Sequence, residues 1–216
     1  MSVAERRSSA THEVVNQPPP LGPLNLFTAD AVLQEAAERE GAGWARDRLA
    51  DHGGRWGGEP LLEWAPQAND NPPKLKVVDR YGHRVDEVEF HPAYHQLMRL
   101  SSESGFNSLP WTTDRHGAHV ARAVAGIIAG QVEAGHGCPQ TMTFAVIPAL
   151  RAQPDVAAEW EPLLTAAAYD PRLIPAREKG SAKAGMAMTE KQGGSDVRAN
   201  TTEARPLNGG GPGAEY

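Results

Sequence analysis

Asp114-Arg115-His116-Gly117-Ala118-His119-Val120-Ala121-Arg122-Ala123-Val124-Ala125-Gly126-Ile127-Ile128-Ala129-Gly130-Gln131-Val132-Glu133 is the most strongly periodic stretch of the chain. Val120, Val124, Ile127, Ile128 and Val132 recur at three- and four-residue steps with small residues between them, which predicts a long buried helix. Downstream, Thr141 to Leu150 continues as an apolar helix bent near Pro148, and Asp155 to Ala167 repeats the pattern with Val156, Trp160, Leu163 and Leu164, divided at Pro162. Upstream, Thr28 is placed to cap a helix over 29–40 that carries Val32, Leu33, Ala36 and Ala37 on one face and stops at Gly41. Trp44 and Leu49 mark another helix, broken at Gly53-Gly54, and a third begins at Pro60 with Leu61, Leu62, Trp64 and Ala65. Between Lys74 and Phe90 the period changes to two. Leu75 and Val77 alternate with lysines, and Asp79-Arg80-Tyr81-Gly82 is a turn signal before Val85 and Val88, so a small hairpin is expected among the helices.

The ends differ from this helical centre. From Met1 to about Leu24 the chain reads as an arm, since Pro18-Pro19-Pro20 and Pro23 enforce extended backbone. After Pro171 and Pro175 the helical pattern stops and glycine, serine, threonine and asparagine take over. The expected division is an arm at 1–24, a helical domain at 25–180 and the start of a β-rich domain at 181–216. Pro206 to Tyr216 reads as a glycine-rich turn into a returning strand, and a sheet left unclosed there leads us to expect a longer protein.

With 216 residues, 40% of them hydrophobic, the chain can build a substantial core. No apolar run approaches the roughly 20 residues that span a bilayer, and Arg6-Arg7 is not followed by the apolar core of a signal peptide, so a cytoplasmic location is expected. The single cysteine excludes an internal disulfide framework; Cys138, between Gly137 and Pro139, reads as a buried small residue rather than a nucleophile. A net charge of −6 argues against the basic footprint of nucleic-acid binding. His91 and His95 are four residues apart and His116 and His119 three, but neither pair has an acidic or cysteine companion at ligand spacing, so no metal site is assigned. Pro92 places His91 at a helix start, in a capping or solvent-facing role.

Chemistry concentrates in Met186-Ala187-Met188-Thr189-Glu190-Lys191-Gln192-Gly193-Gly194-Ser195-Asp196-Val197. Residues 184–189 are small and apolar, consistent with a short strand running into a loop. Gly193-Gly194 would free the backbone for positive φ and close ligand approach, and Thr189 and Ser195 supply hydroxyls at the loop's two ends. This string resembles the flavin-contacting loop of the acyl-CoA dehydrogenase family: an apolar residue, Thr-Glu, a short spacer, then Gly-Ser-Asp. Lys191-Gln192-Gly193 departs from the commoner spacer, which has Pro after the Glu and Ala before Gly-Ser, and points to the AidB-like branch linked to alkylation damage. Asn16-Gln17-Pro18-Pro19-Pro20-Leu21, Phe90-His91-Pro92-Ala93-Tyr94-His95 and Cys138-Pro139-Gln140-Thr141-Met142-Thr143-Phe144-Ala145 agree with that branch.

The resemblance implies a mainly α fold: an acyl-CoA dehydrogenase-like N-terminal helical domain with a hairpin insertion, then the start of a β-barrel or sheet domain. It implies FAD as cofactor, bound through Met186, Ala187, Met188, Thr189, Glu190, Lys191, Gln192, Gly193, Gly194 and Ser195. Thr189 would lie at the N5/O4 side of the ring and Ser195 near the ribityl or pyrophosphate part, with Met142, Thr143 and Phe144 beside the flavin. It further implies an acyl-CoA-like substrate for the full-length protein and a homotetramer. The family's catalytic glutamate lies in a C-terminal helical domain, so no residue here is assigned as catalytic. The DNA binding reported for the branch belongs to a C-terminal region, and no DNA site is expected in these residues. The alternative function is a non-catalytic damage-response or oligomerisation module built on the same fold.

Overall fold

Asp30, rather than Thr28, opens the first helix of the computed structural model, which describes residues 11–19, 21–210, 214 and 215. Helix α1 (Ala31–Ala37) is capped by Asp30 Oδ1, which accepts from Leu33 N at 2.8 Å. Both residues are good N-caps, but only Asp30 stands three residues before an amide left open by the first turn. The helix passes into a π turn (Glu38–Ala42) and ends at Gly41, whose φ of 86° is the expected stop.

Helix α2 (Arg46–Trp56) runs straight through Gly53-Gly54, where a break was expected. The glycines serve a crossing instead. Leu26 N donates to Gly53 O at 3.1 Å, and a Cβ at Gly53 would lie 2.6 Å from Phe27 N, so the 24–27 segment lies on the helix only because that face is bare. Helix α3 (Glu59–Asp70) starts with Pro60 in its first turn. Strands β1 (Lys74–Val78) and β2 (Arg84–Glu89) form the expected antiparallel hairpin, with Leu75 opposite Val88. Its turn is held by Asp79 Oδ1, which accepts from Tyr81 N and His83 N, and by Gly82 at φ 84°. Residues 11–19 and 21–24 have no regular secondary structure and are largely exposed, whereas Pro20 and the first ten residues of the expected arm lie outside the described residues.

The helices α4 (Pro92–Glu103), α5 (Leu109–Thr112), α6 (Ala118–Val132), α7 (Gly137–Leu150) and α8 (Pro154–Leu164) complete the order. Helix α6 is the expected central helix, packed on α2, but Ile127 is 52% exposed. The buried face is Ala121, Val124, Ala125, Ile128 and Ala129. At 100° per residue, Ile127 falls off the stripe that the alanines share with Val124 and Ile128, and the alanines let α2 approach closely. The main core gathers Phe27, Leu49, Trp56, Leu97, Leu100, Val124 and Ile128. A smaller cluster joins Ile147, Leu164 and Ala182, with Trp111 and Trp160 against it. Asn107 Nδ2 bridges the two regions by donating to Leu164 O at 2.7 Å. Cys138, expected to be buried, is exposed in the first turn of α7. The first turn of a helix leaves one side open to solvent whatever residue stands there.

Buried His52 couples α2 to α6. Its Nε2 lies 3.0 Å from Ala125 O, and burial outweighs that hydrogen bond to bring its pKa down to about 4. The unfolded chain therefore takes up a proton below pH 6.5 that the folded chain refuses, so stability falls as pH drops from 6.5 towards 4. We expect a loss of about 3 kcal/mol across that range, read from urea unfolding at a series of pH values. In the His52→Gln variant this slope should disappear; an unchanged slope would assign it elsewhere.

Candidate functional site

The segment that leads into the 186–195 loop is bonded to the helices. Ala182 N donates to Leu163 O at 3.0 Å, and Ala184 N donates to Thr143 Oγ1 at 3.0 Å while that hydroxyl donates to Pro139 O at 2.7 Å. Ser181 Oγ accepts from Asp170 N at 3.1 Å. Thr143 thus serves as a two-way clamp between α7 and the loop's root. The neighbouring Phe144 stacks on Trp111 at 4.9 Å with the Arg122 guanidinium 3.7 Å above its ring, and Phe144 O accepts from Trp111 Nε1. Met142 is half-buried on the same helix. The Thr-Met-Thr-Phe helix and the glycine loop, 41 residues apart between Thr143 and Ala184, are brought together.

Beyond Ala184 the chain leaves the helices. Residues 184–189 form no strand, contrary to the expectation, because no described segment pairs with them; a run of small apolar residues becomes a strand only where a partner supplies the ladder. Gly185, Met186, Ala187, Met188 and Thr189 donate no backbone hydrogen bond to any described residue. Met188 is 63% exposed. The loop then closes on itself. Glu190 N donates to Gly193 O at 3.1 Å and Gly193 N to Glu190 O at 3.0 Å, forming a tight turn over Lys191 and Gln192.

Gly193 and Gly194 do not adopt the positive φ expected of them. Gly194 is needed for space instead, since a Cβ there would lie 2.6 Å from Thr189 Cγ2. With its methyl turned to Gly194, Thr189 has a hydroxyl with no partner among the described residues, and Ser195 Oγ is equally free. Glu190 is fully engaged. Its carboxylate accepts from Thr201 N and Thr202 N, both at 2.9 Å, and from the Thr202 hydroxyl and Gln192 Nε2. These bonds, led by the Thr202 hydroxyl and Gln192, hold it down to about 2, which makes it a poor proton acceptor at neutral pH and a brace for the loop. Lys191 is exposed, and Asp196 caps the short turn Val197–Ala199. Leu207 N donates to Glu215 O at 2.9 Å across the terminal glycine turn, of which residues 211–213 and 216 lie outside the described set.

One group escaped the sequence reading. Lys183 Nζ is buried without a hydrogen-bond partner among the described residues, and burial brings its pKa down to about 8. It alternates with Ala182 and Ala184, which face α7 and α8, and the only signal for it was a lysine inside an otherwise small, apolar run. The histidines have ordinary partners. His91 Nδ1 caps α4 through Ala93 N, His95 Nδ1 lies 2.8 Å from Tyr169 Oη, and His119 packs edge-on against Trp111. Among the described residues no group of three or more His, Cys, Asp or Glu side chains is placed to hold a metal, and no helix is long and apolar enough to cross a membrane.

Comparison with known proteins gives this geometry its context. The family described as the adaptive response protein AidB N-terminal domain matches residues 16–171. The Escherichia coli (strain K12) protein named "Putative acyl-CoA dehydrogenase AidB" is 47% identical over 202 residues, which is 93% of this chain and 37% of that protein. The chain therefore spans well under half the length of its curated relative. Among solved structures, that titled "Bd2924 apo-form" superposes with a TM-score of 0.73 at 26% identity, over 88% of this chain and 38% of the other. The crystal structure of Caenorhabditis elegans ACDH-11 in complex with C11-CoA gives a TM-score of 0.65 at 22% identity, over 91% of this chain and 34% of its own, a likeness of fold alone.

Proposed function

The chain belongs to the AidB N-terminal domain family, within the acyl-CoA dehydrogenase-like proteins, and from that premise we propose that it forms the N-terminal part of an FAD-binding flavoprotein of the acyl-CoA dehydrogenase type. The observation that carries the reading is the run of uncommitted donors: the backbone amides of Met186, Ala187, Met188 and Thr189, with the free hydroxyls of Thr189 and Ser195, on a loop whose root is bonded to α7. Such a strip suits the polar edge of a planar ring, since donors already held in place need little ordering on binding. Lys183 fits the same group. An ammonium buried without a partner is costly unless an anion neutralises it, and a dinucleotide cofactor or its reduced ring supplies one.

When bound, FAD would supply the hydride-accepting chemistry that amino-acid side chains lack. The protein's share lies in its own residues. Thr189, whose methyl lies against Gly194, would hold the ring edge through its hydroxyl, Ser195 would serve the ribityl or pyrophosphate end, and Glu190, Lys191, Gln192 and Gly193 form the turn between them. None of these residues is a base for removing a substrate proton, and that role falls to the family's C-terminal glutamate. On this reading 25–180 is the helical domain and 181–216 opens the flavin-binding one, the substrate of the whole protein is an acyl-CoA-like thioester, the assembly is a tetramer in the cytoplasm, and these residues hold no DNA site.

Titration of the 216-residue chain with FAD, followed by quenching of flavin fluorescence, tests the proposal. Binding is expected, with Thr189→Ala weakening it about tenfold, the equivalent of one hydrogen bond to a polar ring edge. Lys183→Met, which keeps an unbranched stem and removes the charged end, is expected to weaken it by at least as much. A chain that folds by circular dichroism yet leaves the flavin unquenched would overturn FAD binding by this chain.

A further inference from the structure

A cleft of about 640 Å³ lies between β2, the start of α4 and the 169–179 segment, and shares no residue with the 186–195 loop. Its volume falls within the range of small-molecule sites. Its charged groups divide by whether the protein already uses them. Arg172 is paired with Asp170 at 2.6 Å, Glu89 with Lys76 at 3.5 Å, and Asp86 with Arg84. Lys74 and Lys179 have no ion-pair or hydrogen-bond partner among the described residues, and Glu87 is the one carboxylate in the lining left similarly free.

The two histidines add donors of known direction. His91 Nδ1 accepts from Ala93 N at 3.2 Å, so the proton of the neutral ring sits on Nε2. His95 Nδ1 lies 2.8 Å from Tyr169 Oη. A phenol is a better donor than acceptor, and Tyr169, pushed up to about 12 by burial and by Tyr94, keeps its proton, so His95 also carries its own on Nε2. Neither Nε2–H has a partner among the described residues. The cleft therefore offers two ammoniums and two imidazole N–H groups against one uncommitted carboxylate. Beside them stand apolar surfaces: Phe90, stacked on Tyr94 at 4.4 Å, and Leu173, 69% exposed although it borders a cavity.

We propose that this cleft is a second binding site, for a small organic anion whose carboxylate or phosphate head is held by Lys74, Lys179, His91 and His95 and whose apolar body lies against Phe90 and Leu173. Charge-assisted bonds from ammonium and imidazole to an anionic oxygen are among the stronger polar contacts, and an apolar body adds burial that a free inorganic ion cannot. The site is independent of flavin binding. Its failure would leave the FAD proposal standing, and the reverse holds too.

Calorimetric titration of the full chain with phenyl phosphate, benzoate and inorganic phosphate tests the site and separates the two head groups. Phenyl phosphate or benzoate is expected to bind with a dissociation constant of about 1 mM or tighter, and inorganic phosphate at least about tenfold more weakly, the equivalent of roughly 1.4 kcal/mol from the apolar body. The preferred head is whichever of the two aryl anions binds better. Lys74→Ala with Lys179→Ala, both at partly or fully exposed positions where the fold is not at stake, should weaken binding at least tenfold. His95→Phe tests the imidazole donor separately, and addition of ligand to the unaltered chain should shift the Cε1 proton resonances of His91 and His95. No binding of either aryl anion, equal binding of inorganic phosphate, or affinity indifferent to the lysine substitutions would each overturn the proposal.

Discussion

Gly117→Ala is expected to destabilise the protein by about 4 kcal/mol or to prevent folding, which urea unfolding followed by tryptophan fluorescence will measure. Gly117 precedes α6 at φ 78°, a left-handed conformation that costs a residue with a Cβ about 1–2 kcal/mol. Space adds to this cost. A Cβ on Gly117 would collide with the carbonyl group of Gly41 and stand 2.8 Å from Ala42 N, and backbone cannot rotate away as a side chain can. Overpacking of that kind adds about 1–3 kcal/mol. Gly41 is itself left-handed and is covered by the His116 ring, so two glycine backbones pass face to face. Around them Trp44 Nε1 donates to His116 O at 2.9 Å, and the Arg115 guanidinium lies 4.7 Å above the Trp44 ring. Gly82→Ala is the control. It has the same left-handed backbone at φ 84° but open space where the Cβ would go, so it should lose only the conformational part, about 1–2 kcal/mol. Equal losses from the two substitutions would show that the contact between 41 and 117 contributes nothing.

That glycine pair shows where the sequence was informative. The hairpin at 74–89, the helix through 118–132 and the stop at Gly41 follow from periodicity and backbone freedom, properties a residue carries with it. What periodicity could not supply is the identity of the partner. Gly53-Gly54 reads as a helix breaker until the 24–27 segment is laid across it, and then it is a landing site within α2. Ile127 belongs to the apolar repeat of α6 but faces outward, since the close approach of α2 selects the alanine face. Residues 184–189 have a strand's composition without a strand's neighbour. In the loop, the motif located Thr189, Glu190 and Ser195, and the structure sorted them by what each already holds: Glu190 is occupied by Thr201 and Thr202, whereas the two hydroxyls have no partner among the described residues. Lys183 was invisible because a lysine is expected at the surface, and only the packing of the 181–184 segment buries its ammonium.

Glu133→Ala should cost about 3–5 kcal/mol, the range for leaving the partners of a buried charge unmet. Glu133 ends α6, and its carboxylate accepts from Gly135 N at 2.6 Å, His136 N at 2.8 Å and His136 Nδ1 at 2.7 Å. His136 Nε2 reaches Ser101 Oγ on α4 at 2.8 Å, and the imidazole stacks on Trp56 of α2 at 5.1 Å. Serine, histidine and carboxylate thus stand in the order of a hydrolytic triad. Ser101 is wholly buried, however, so no substrate carbonyl can reach its hydroxyl, and the array acts as a tie among α2, α4 and the α6–α7 turn. Burial pushes the Glu133 carboxyl up, but hydrogen bonds from the His136 ring and from the backbone of His136 and Gly135 outweigh it and bring it down to about 2. A carboxyl lower in the folded chain than in the unfolded one stabilises above pH 4.5, and that contribution is lost as pH falls from 4.5 to 2. The deficit of Glu133→Gln, about 2 kcal/mol at neutral pH because one acceptor oxygen remains, should therefore shrink below pH 4.5, a window that overlaps that of His52, 6.5 to about 4, only at its upper end. A double-mutant cycle with His136→Ala should return a coupling of about 2 kcal/mol. Strictly additive losses, or a Glu133→Gln deficit that does not change with pH, would mean that the carboxylate does not hold the turn.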